Sequence, residues 1–194
     1  MPFNLPIFLT WLRILAIPLL IGLYYLPPEI LTPRHIDLTA TILFIAAALT
    51  DWADGYLARR FNQVSSFGAF LDPVADKLMV AAALIMLVSL GRAPTLVALI
   101  IIGREIAISA LREWMAKIGA AKSIAVSMLG KVKTTAQMVA IPMLLYHGSL
   151  WGIDMHRLGT LLIWVAALLT LWSMVYYLQK ARQEVLKHGI DLSR

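Results

Sequence analysis

Six long runs of mostly apolar residues are the feature that most constrains this chain of 194 residues. Short clusters of proline, glycine and charged residues separate them. Apolar residue types make up 60% of the chain and charged residues 14%, whereas soluble domains average about 45–50% and about 25%. A globule of this size exposes too much surface to hide so many apolar groups. The composition therefore excludes a soluble enzyme, a disordered chain and, with no cysteine, a disulfide-stapled secreted domain.

The six runs predict six membrane-spanning helices in a single integral-membrane domain over residues 1–194. One span needs about 20 apolar residues, and backbone exposed to lipid must satisfy its own hydrogen bonds within a helix. The expected fold class is an all-α polytopic membrane protein. The predicted spans cover, in approximate bounds, residues 7–26, 38–57, 70–90, 94–115, 134–146 and 158–178.

The positive charges predict the orientation of these spans. Loops on the side of the N-terminus, together with the C-terminal tail, carry ten Lys and Arg residues. The opposite loops carry three, which are Arg34, Arg92 and Arg157. Cytoplasmic loops of membrane proteins are enriched in Lys and Arg. We therefore expect both termini and the functional site on the cytoplasmic side of the membrane.

Two acidic pairs lie within the apolar runs, where ionisable groups are costly and often functional. Asp51 and Asp54 are three residues apart, and Asp72 and Asp76 are four apart, so each pair shares one helix face. The short turn between the second and third helices makes them antiparallel neighbours. We therefore expect the four carboxylates to converge at the cytoplasmic end of the bundle.

A cluster of four carboxylates is unfavourable without cations, because like charges and desolvation oppose ionisation. Oxygen ligands without histidine or cysteine favour Mg²⁺ or Mn²⁺ over zinc, as one ion or two. Ions held in this way commonly take phosphate oxygens as further ligands. The alternative is a buried ion-pair network with Arg59 and Lys77. Small residues, Gly55, Ala58 and Gly68, permit either close approach of a flat ligand or helix packing.

A second group of charged residues, at or near the same end of the bundle, is basic. Arg forks match phosphate geometry and Lys supplies a point charge, so we expect a small anionic substrate to bind here. The alternatives are attraction to anionic lipid headgroups and internal ion pairs, for example between Arg104 and Glu105. The candidate phosphate-binding residues are Arg13, Arg104, Arg112, Lys131 and Lys133.

The acidic segment follows one fixed pattern from Asp51 to Asp76, which is Asp-x2-Asp-Gly-x2-Ala-Arg-x8-Gly-x3-Asp-x3-Asp. This pattern resembles the signature of the CDP-alcohol phosphatidyltransferase family at every specified position. Further segments, at residues 4–18, 103–114, 130–137 and 171–178, resemble the branch of that family that makes phosphatidylglycerophosphate. The likeness covers nearly the whole chain.

The resemblance implies six transmembrane helices, a homodimer and transfer of a phosphatidyl group from CDP-diacylglycerol. It implies that the metal ligands are Asp51, Asp54, Asp72 and Asp76, and that Asp76 is also the general base. It further implies that CDP-diacylglycerol is bound by Gly55, Ala58, Arg59 and Gly68, with Arg59 at the diphosphate and the small residues at the cytidine nucleotide.

The expected reaction is transfer of the phosphatidyl group to sn-glycerol 3-phosphate, giving phosphatidylglycerophosphate and CMP for phospholipid biosynthesis. Membrane lipids are expected partners and nucleic acid is not. One alternative is the same donor with serine, inositol phosphate or phosphatidylglycerol as acceptor. Another is a cation transporter that uses the aspartates as an ion site.

Overall fold

The structure is a computed structural model that describes residues 5–60, 66–119 and 128–187. Nearly all of these residues are helical, as the apolar runs predict, and each helix contains most of one predicted run. The helices are α1 (Leu5–Leu23), α2 (Pro33–Arg60), α3 (Ser66–Ser89), α4 (Thr95–Lys117), α5 (Met128–Tyr146) and α6 (Met155–Lys187). The all-α fold class is therefore confirmed for the part of the chain that the structure describes.

The helix ends differ from the predicted spans by a few residues in most cases, and two of these differences have a clear structural reason. Helix α1 ends at Leu23, before the predicted end at residue 26, because the backbone turns there ahead of two prolines. Helix α6 continues far beyond residue 178, since Ala181 and Val185 pack against α4 at this end of the bundle. The apolar run predicts where the span of α6 ends, but packing against α4 continues the helix past that point.

Hydropathy distinguishes α6 from the other described helices. Within the described residues, it is the one helix long and apolar enough to cross a membrane, from Met155 to Leu186. Ile7–Leu23 in α1 is a shorter apolar segment. Six spans therefore stay a prediction.

The helices form one bundle around a continuous apolar core. Helix α1 packs against α2 and α3, α5 lies along α6, and α4 contacts α3 and α6. All six helices contribute to the main core, which includes Leu20, Phe44, Leu84, Ile101, Ile141 and Ile163. A separate small core joins α4 to the last part of α6, through Ile108, Met115, Tyr177, Ala181 and Val185.

A β-hairpin that the sequence reading did not predict connects α5 to α6. Strand β1 (Ser149–Leu150) pairs antiparallel with β2 (Ile153–Asp154). The two residues between them, Trp151 and Gly152, have φ values of 51° and 79°, as in the type I′ turns that join tight hairpins. Trp is an unusual residue at such a position, which explains why the pattern gave no hairpin signal.

One ion pair fixes the end of the bundle that carries this hairpin. Arg92, between α3 and α4, donates to both carboxylate oxygens of Asp37 in α2, at 2.7 and 2.9 Å. It also donates to the carbonyl oxygen of Leu145 in α5, at 2.8 Å. Arg92 therefore joins α2, α5 and the α3–α4 connection, at the end of the bundle away from the aspartates.

Candidate active site

Helix α1 presents two polar side chains to the aspartates. Thr10 and Arg13 lie three residues apart, about one turn, and both are buried. The hydroxyl of Thr10 donates a hydrogen bond to the carboxylate of Asp72 in α3. The Nη1 atom of Arg13 lies 2.6 Å from Oδ1 of Asp76 and 3.2 Å from Oδ1 of Asp51. Asp51 of α2 and Asp76 of α3 therefore meet at a single cationic nitrogen.

The arginine and the two carboxylates differ in exposure. The side chain of Arg13 is 1% exposed, whereas those of Asp51 and Asp76 are each 39% exposed. On their open side, these two aspartates border a cavity of about 230 Å³. Lys77, Glu105 and Gln137 also line it. The carboxylates are thus contacted from the protein interior and open to a space that can hold a small polar molecule.

Several predicted site residues lie outside the described side chains. The backbone of α2 includes Asp54, Gly55, Ala58 and Arg59, but their side chains are outside the described part of the chain. Gly68 is described and is buried in α3, one turn before Asp72. The binding roles assigned to these residues therefore stay predictions.

The donor set of the aspartates fits a hard divalent cation. No group of three or more Asp, Glu or His side chains arranged to hold a metal occurs where side chains are described, and Asp54 is not among those. Asp51, Asp72 and Asp76 offer only carboxylate oxygens, the ligands that Mg²⁺ and Mn²⁺ prefer. Asp51 and Asp76 already direct one oxygen each at the same cationic atom. The chemistry of these residues therefore suits Mg²⁺ or Mn²⁺, and the ion itself stays a prediction.

Two of the predicted phosphate-binding residues share one carboxylate. Oε1 of Glu105 accepts a hydrogen bond from Nη1 of Arg104 at 3.2 Å, and a further one from Nζ of Lys133. Arg104 also donates to Oγ of Ser173 in α6, at 3.1 Å. Both cations are buried. The internal pairing considered for Arg104 is therefore present, and it includes Lys133.

Tyr177 of α6 lies beneath two arginines of α4. The guanidinium carbons of Arg104 and Arg112 lie 5.5 and 5.7 Å from the centre of its ring, within cation–π range. Arg104 and Arg112 are eight residues apart and so share one face of α4, and that face packs on the ring of Tyr177. Arg112 is exposed, whereas Arg104 is buried.

The two remaining predicted phosphate-binding residues are placed differently. The side chain of Lys131 lies outside the described part of α5. Arg13 is described, and it contacts the aspartates instead of joining Arg104 and Lys133.

Some residues that organise the site carry no signal in the sequence pattern. Thr10 was not recognised as a partner of Asp72, although its spacing from Arg13 puts both on one face of α1. Lys77 donates to Oγ of Ser109 at 2.5 Å, and that hydroxyl donates to the carbonyl oxygen of Glu105 at 2.6 Å. Such contacts between distant segments leave no periodic trace in a single sequence.

Comparison with known proteins gives this site a family. The chain belongs to the CDP-alcohol phosphatidyltransferase family, whose sequence profile matches residues 3–172, and it is a membrane-associated transferase. The resemblance seen in the aspartate pattern is thereby confirmed.

Three relatives are named CDP-diacylglycerol–glycerol-3-phosphate 3-phosphatidyltransferase. The proteins from Escherichia coli strain K12 and Shigella flexneri serotype 5b are each 50% identical to this chain over 188 residues. The protein from Salmonella choleraesuis is 49% identical over the same length. Each comparison covers 96% of this chain and 99% of the relative. The similarity is therefore nearly full-length on both sides.

Proposed function

We propose that this chain transfers the phosphatidyl group of CDP-diacylglycerol to sn-glycerol 3-phosphate, giving phosphatidylglycerophosphate and CMP. The observation that carries the proposal is the identity of 50%, over nearly the full length, to a relative named for this activity. The complete acidic pattern from Asp51 to Asp76 lies within the matched region. If the acceptor were a different molecule, this chain would differ in acceptor specificity from a relative to which it is similar over nearly its full length.

The proposed setting is the cytoplasmic face of a bacterial inner membrane, crossed by all six helices. Large apolar side chains cover much of the outside of the bundle, among them Leu15, Leu19, Leu99, Leu161 and Leu168, each more than half exposed. An apolar outer surface suits lipid tails, since it needs no water. The bias of Lys and Arg between the two sets of loops supports cytoplasmic termini. A homodimer is part of the same proposal.

The aspartates are proposed to hold one or two Mg²⁺ or Mn²⁺ ions, through Asp51, Asp54, Asp72 and Asp76. A bound divalent ion would neutralise charge on the diphosphate and on the departing CMP. Thr10 and Arg13 orient three of these carboxylates from the interior side. Gly55, Ala58 and Gly68 are proposed to leave space for the cytidine nucleotide, with Arg59 at its diphosphate.

The cavity beside Asp76 is the proposed place of the acceptor. Asp76 borders it from α3 and Glu105 from α4. The carboxylate of Glu105 accepts hydrogen bonds from two buried cations, Arg104 and Lys133. A glycerol phosphate in this space would put its phosphate towards those cations, and towards Arg112 and Lys131.

In this arrangement, Asp76 accepts the proton of the acceptor's primary hydroxyl. The hydroxyl oxygen then bonds to the phosphorus that carries the diacylglycerol, and the bond from that phosphorus to CMP breaks. A positioned base of this kind typically contributes about 10²–10⁴ in rate. No serine, histidine or cysteine nucleophile is required.

A CMP-release assay on purified protein tests the proposal. The assay contains CDP-diacylglycerol, Mn²⁺ or Mg²⁺, and one acceptor at a time: glycerol 3-phosphate, serine, inositol phosphate or phosphatidylglycerol. We expect CMP release that depends on glycerol 3-phosphate and on the metal. Release with another acceptor alone would assign a different member of the family. Metal flux into proteoliposomes without CMP release would favour the transporter.

A further inference from the structure

Arg13 lies where a cation shared by two carboxylates would lie. Its Nη1 atom is 2.6 Å from Asp76 and 3.2 Å from Asp51, and these aspartates come from different helices. Helix α1 packs against both α2 and α3, so Arg13 can contact both aspartates at once. The guanidinium therefore offsets the repulsion between the carboxylates of Asp51 and Asp76, as a bound metal ion would.

Burial of Arg13 makes this contact costly to break. The Arg13 side chain is 1% exposed, and a buried charge is very costly unless it is paired and hydrogen-bonded. The reverse also applies, because two neighbouring carboxylates without a counter-charge repel each other and resist ionisation. Arg13, Asp51 and Asp76 therefore stabilise one another without any metal.

The same contact acts against a divalent cation. A cation that binds Asp51 and Asp76 from the cavity meets oxygens that already interact with a full positive charge. It must either share those oxygens with the guanidinium or repel it at short range. In both cases the site binds the divalent cation less tightly than the same carboxylates would without Arg13.

We propose that Arg13 is a resident counter-cation that holds Asp51 and Asp76 together and limits the affinity of the aspartate site for divalent cations. This inference rests on the metal site of the proposed function. It assigns Arg13 to a positioning role at the aspartates, in place of the phosphate-binding role predicted from the sequence. The consequence is an assembled site that binds its metal weakly and exchanges it readily.

The test is Mn²⁺ binding to purified, folded protein, measured by calorimetry and by the electron paramagnetic resonance signal of free Mn²⁺. Arg13→Gln removes the charge, and we expect it to bind Mn²⁺ at least about tenfold more tightly than the wild type. Its metal-free form should unfold at a lower temperature, and Mn²⁺ should raise that temperature by more than in the wild type. Arg13→Lys keeps the charge and should bind Mn²⁺ nearly as the wild type does.

Two further variants keep the test decisive. Arg13→Met removes the charge while filling the same buried space, and it replaces Arg13→Gln if that variant does not fold. Arg92→Gln breaks the Asp37 ion pair at the other end of the bundle, so it should lower stability without changing Mn²⁺ affinity. A folded charge-removing variant with unchanged or weaker Mn²⁺ affinity, in a protein whose wild type releases CMP, would overturn the inference alone. Absence of CMP release from the wild type would instead overturn the proposed function.

Discussion

Lys133 and Glu105 form an ion pair between α5 and α4, in which the buried ammonium group donates to Oε1 of the partly buried carboxylate. Arg104 donates to the same oxygen. One negative charge therefore faces two buried cations, and the group keeps a net positive charge beside the cavity. In the proposed function, the acceptor phosphate would lie on the side of these cations and away from Asp51 and Asp76, which line the same cavity. Glu105 also reduces the repulsion between Arg104 and Lys133.

The pairing predicts a strong dependence of stability on Glu105. Glu105→Gln leaves Arg104 and Lys133 without their counter-charge and should lower the free energy of unfolding by about 3 kcal/mol. Lys133→Met in the same chain should recover part of that loss, because one of the two cations is then gone. Tryptophan fluorescence during heating in detergent measures the effect. Lys117→Ala, which breaks an exposed pair with Glu113, is the control and should change stability by less than about 1 kcal/mol. Additive effects of the two substitutions would contradict the shared pairing.

The proposed base predicts loss of turnover with retention of the fold. Asp76→Asn can still accept a hydrogen bond from Arg13 through its amide oxygen, but it cannot take a proton from the acceptor. CMP release should fall by at least about 100-fold, while the protein stays folded, since Asp51 still supplies a counter-charge to Arg13. Asp37→Asn changes an ion-paired aspartate far from the cavity, and its turnover should be normal where it is folded. Near-normal turnover by Asp76→Asn would remove Asp76 from this role.

Arg112 is predicted to act on one substrate more than on the other. Its guanidinium is exposed and lies over the ring of Tyr177, and contact with the acceptor phosphate is its proposed role. Arg112→Ala should raise KM for glycerol 3-phosphate about tenfold, as expected for loss of one charge-assisted contact. KM for CDP-diacylglycerol should change by less than about twofold. Tyr177→Leu should raise the KM for glycerol 3-phosphate by a smaller factor, because Arg112 then loses its cation–π contact with the ring. Equal effects of Arg112→Ala on both substrates would place Arg112 elsewhere.

The ion pair of Arg92 predicts a purely structural effect. Both side chains are 14% exposed, and Arg92→Leu would leave Asp37 without its partner. The free energy of unfolding should fall by about 3 kcal/mol, while kcat at a temperature where both proteins are folded stays unchanged. A parallel loss of kcat would show that this end of the bundle is coupled to the cavity.

His147, in the loop after α5, predicts a weak dependence of stability on pH. Partial burial and the charge of Arg92 lower the pKa of its imidazole below the usual 6.5. The unfolded chain therefore takes up a proton first as pH falls, so folding loses free energy below about pH 6.5. The difference in thermal midpoint between pH 7.5 and pH 5.5 should shrink in His147→Asn. Asn is chosen because it tolerates the positive φ of 50° found here. An unchanged difference would assign the pH effect to other groups.

The helices were predictable because their signal is local. A run such as residues 70–90 is apolar over the length of a span, and α3 lies there. The shared helix face of Asp72 and Asp76 was predictable for the same reason, since residues four apart lie on one side of a helix. What hydropathy did not give was the continuation of α6 to Lys187, which depends on packing against α4.

The partners of the charged residues were much less predictable. Arg13 was assigned to phosphate from its charge, yet its position against Asp51 and Asp76 depends on how α1 enters the bundle. The contact between Thr10 and Asp72 likewise joins residues far apart in the chain. Glu105 was named as a partner for Arg104 because the two are adjacent, whereas Lys133 reaches it from another helix. Contacts of this kind are properties of the assembled helices and leave no pattern in any one of them.

The length of α6 has a consequence for how the bundle responds to temperature. Its 33 residues extend about 50 Å, and the hydrocarbon of a bilayer is about 30 Å thick. In the proposed orientation, the part of the small core that Ala181 and Val185 contribute, beyond the predicted span end at residue 178, therefore lies outside the lipid tails. Water drives the packing of these two residues, while close packing and interhelical hydrogen bonds hold the helices together within the lipid. Cooling weakens only the water-driven part, so the aqueous end of α6 should be the first part of the bundle to loosen in the cold.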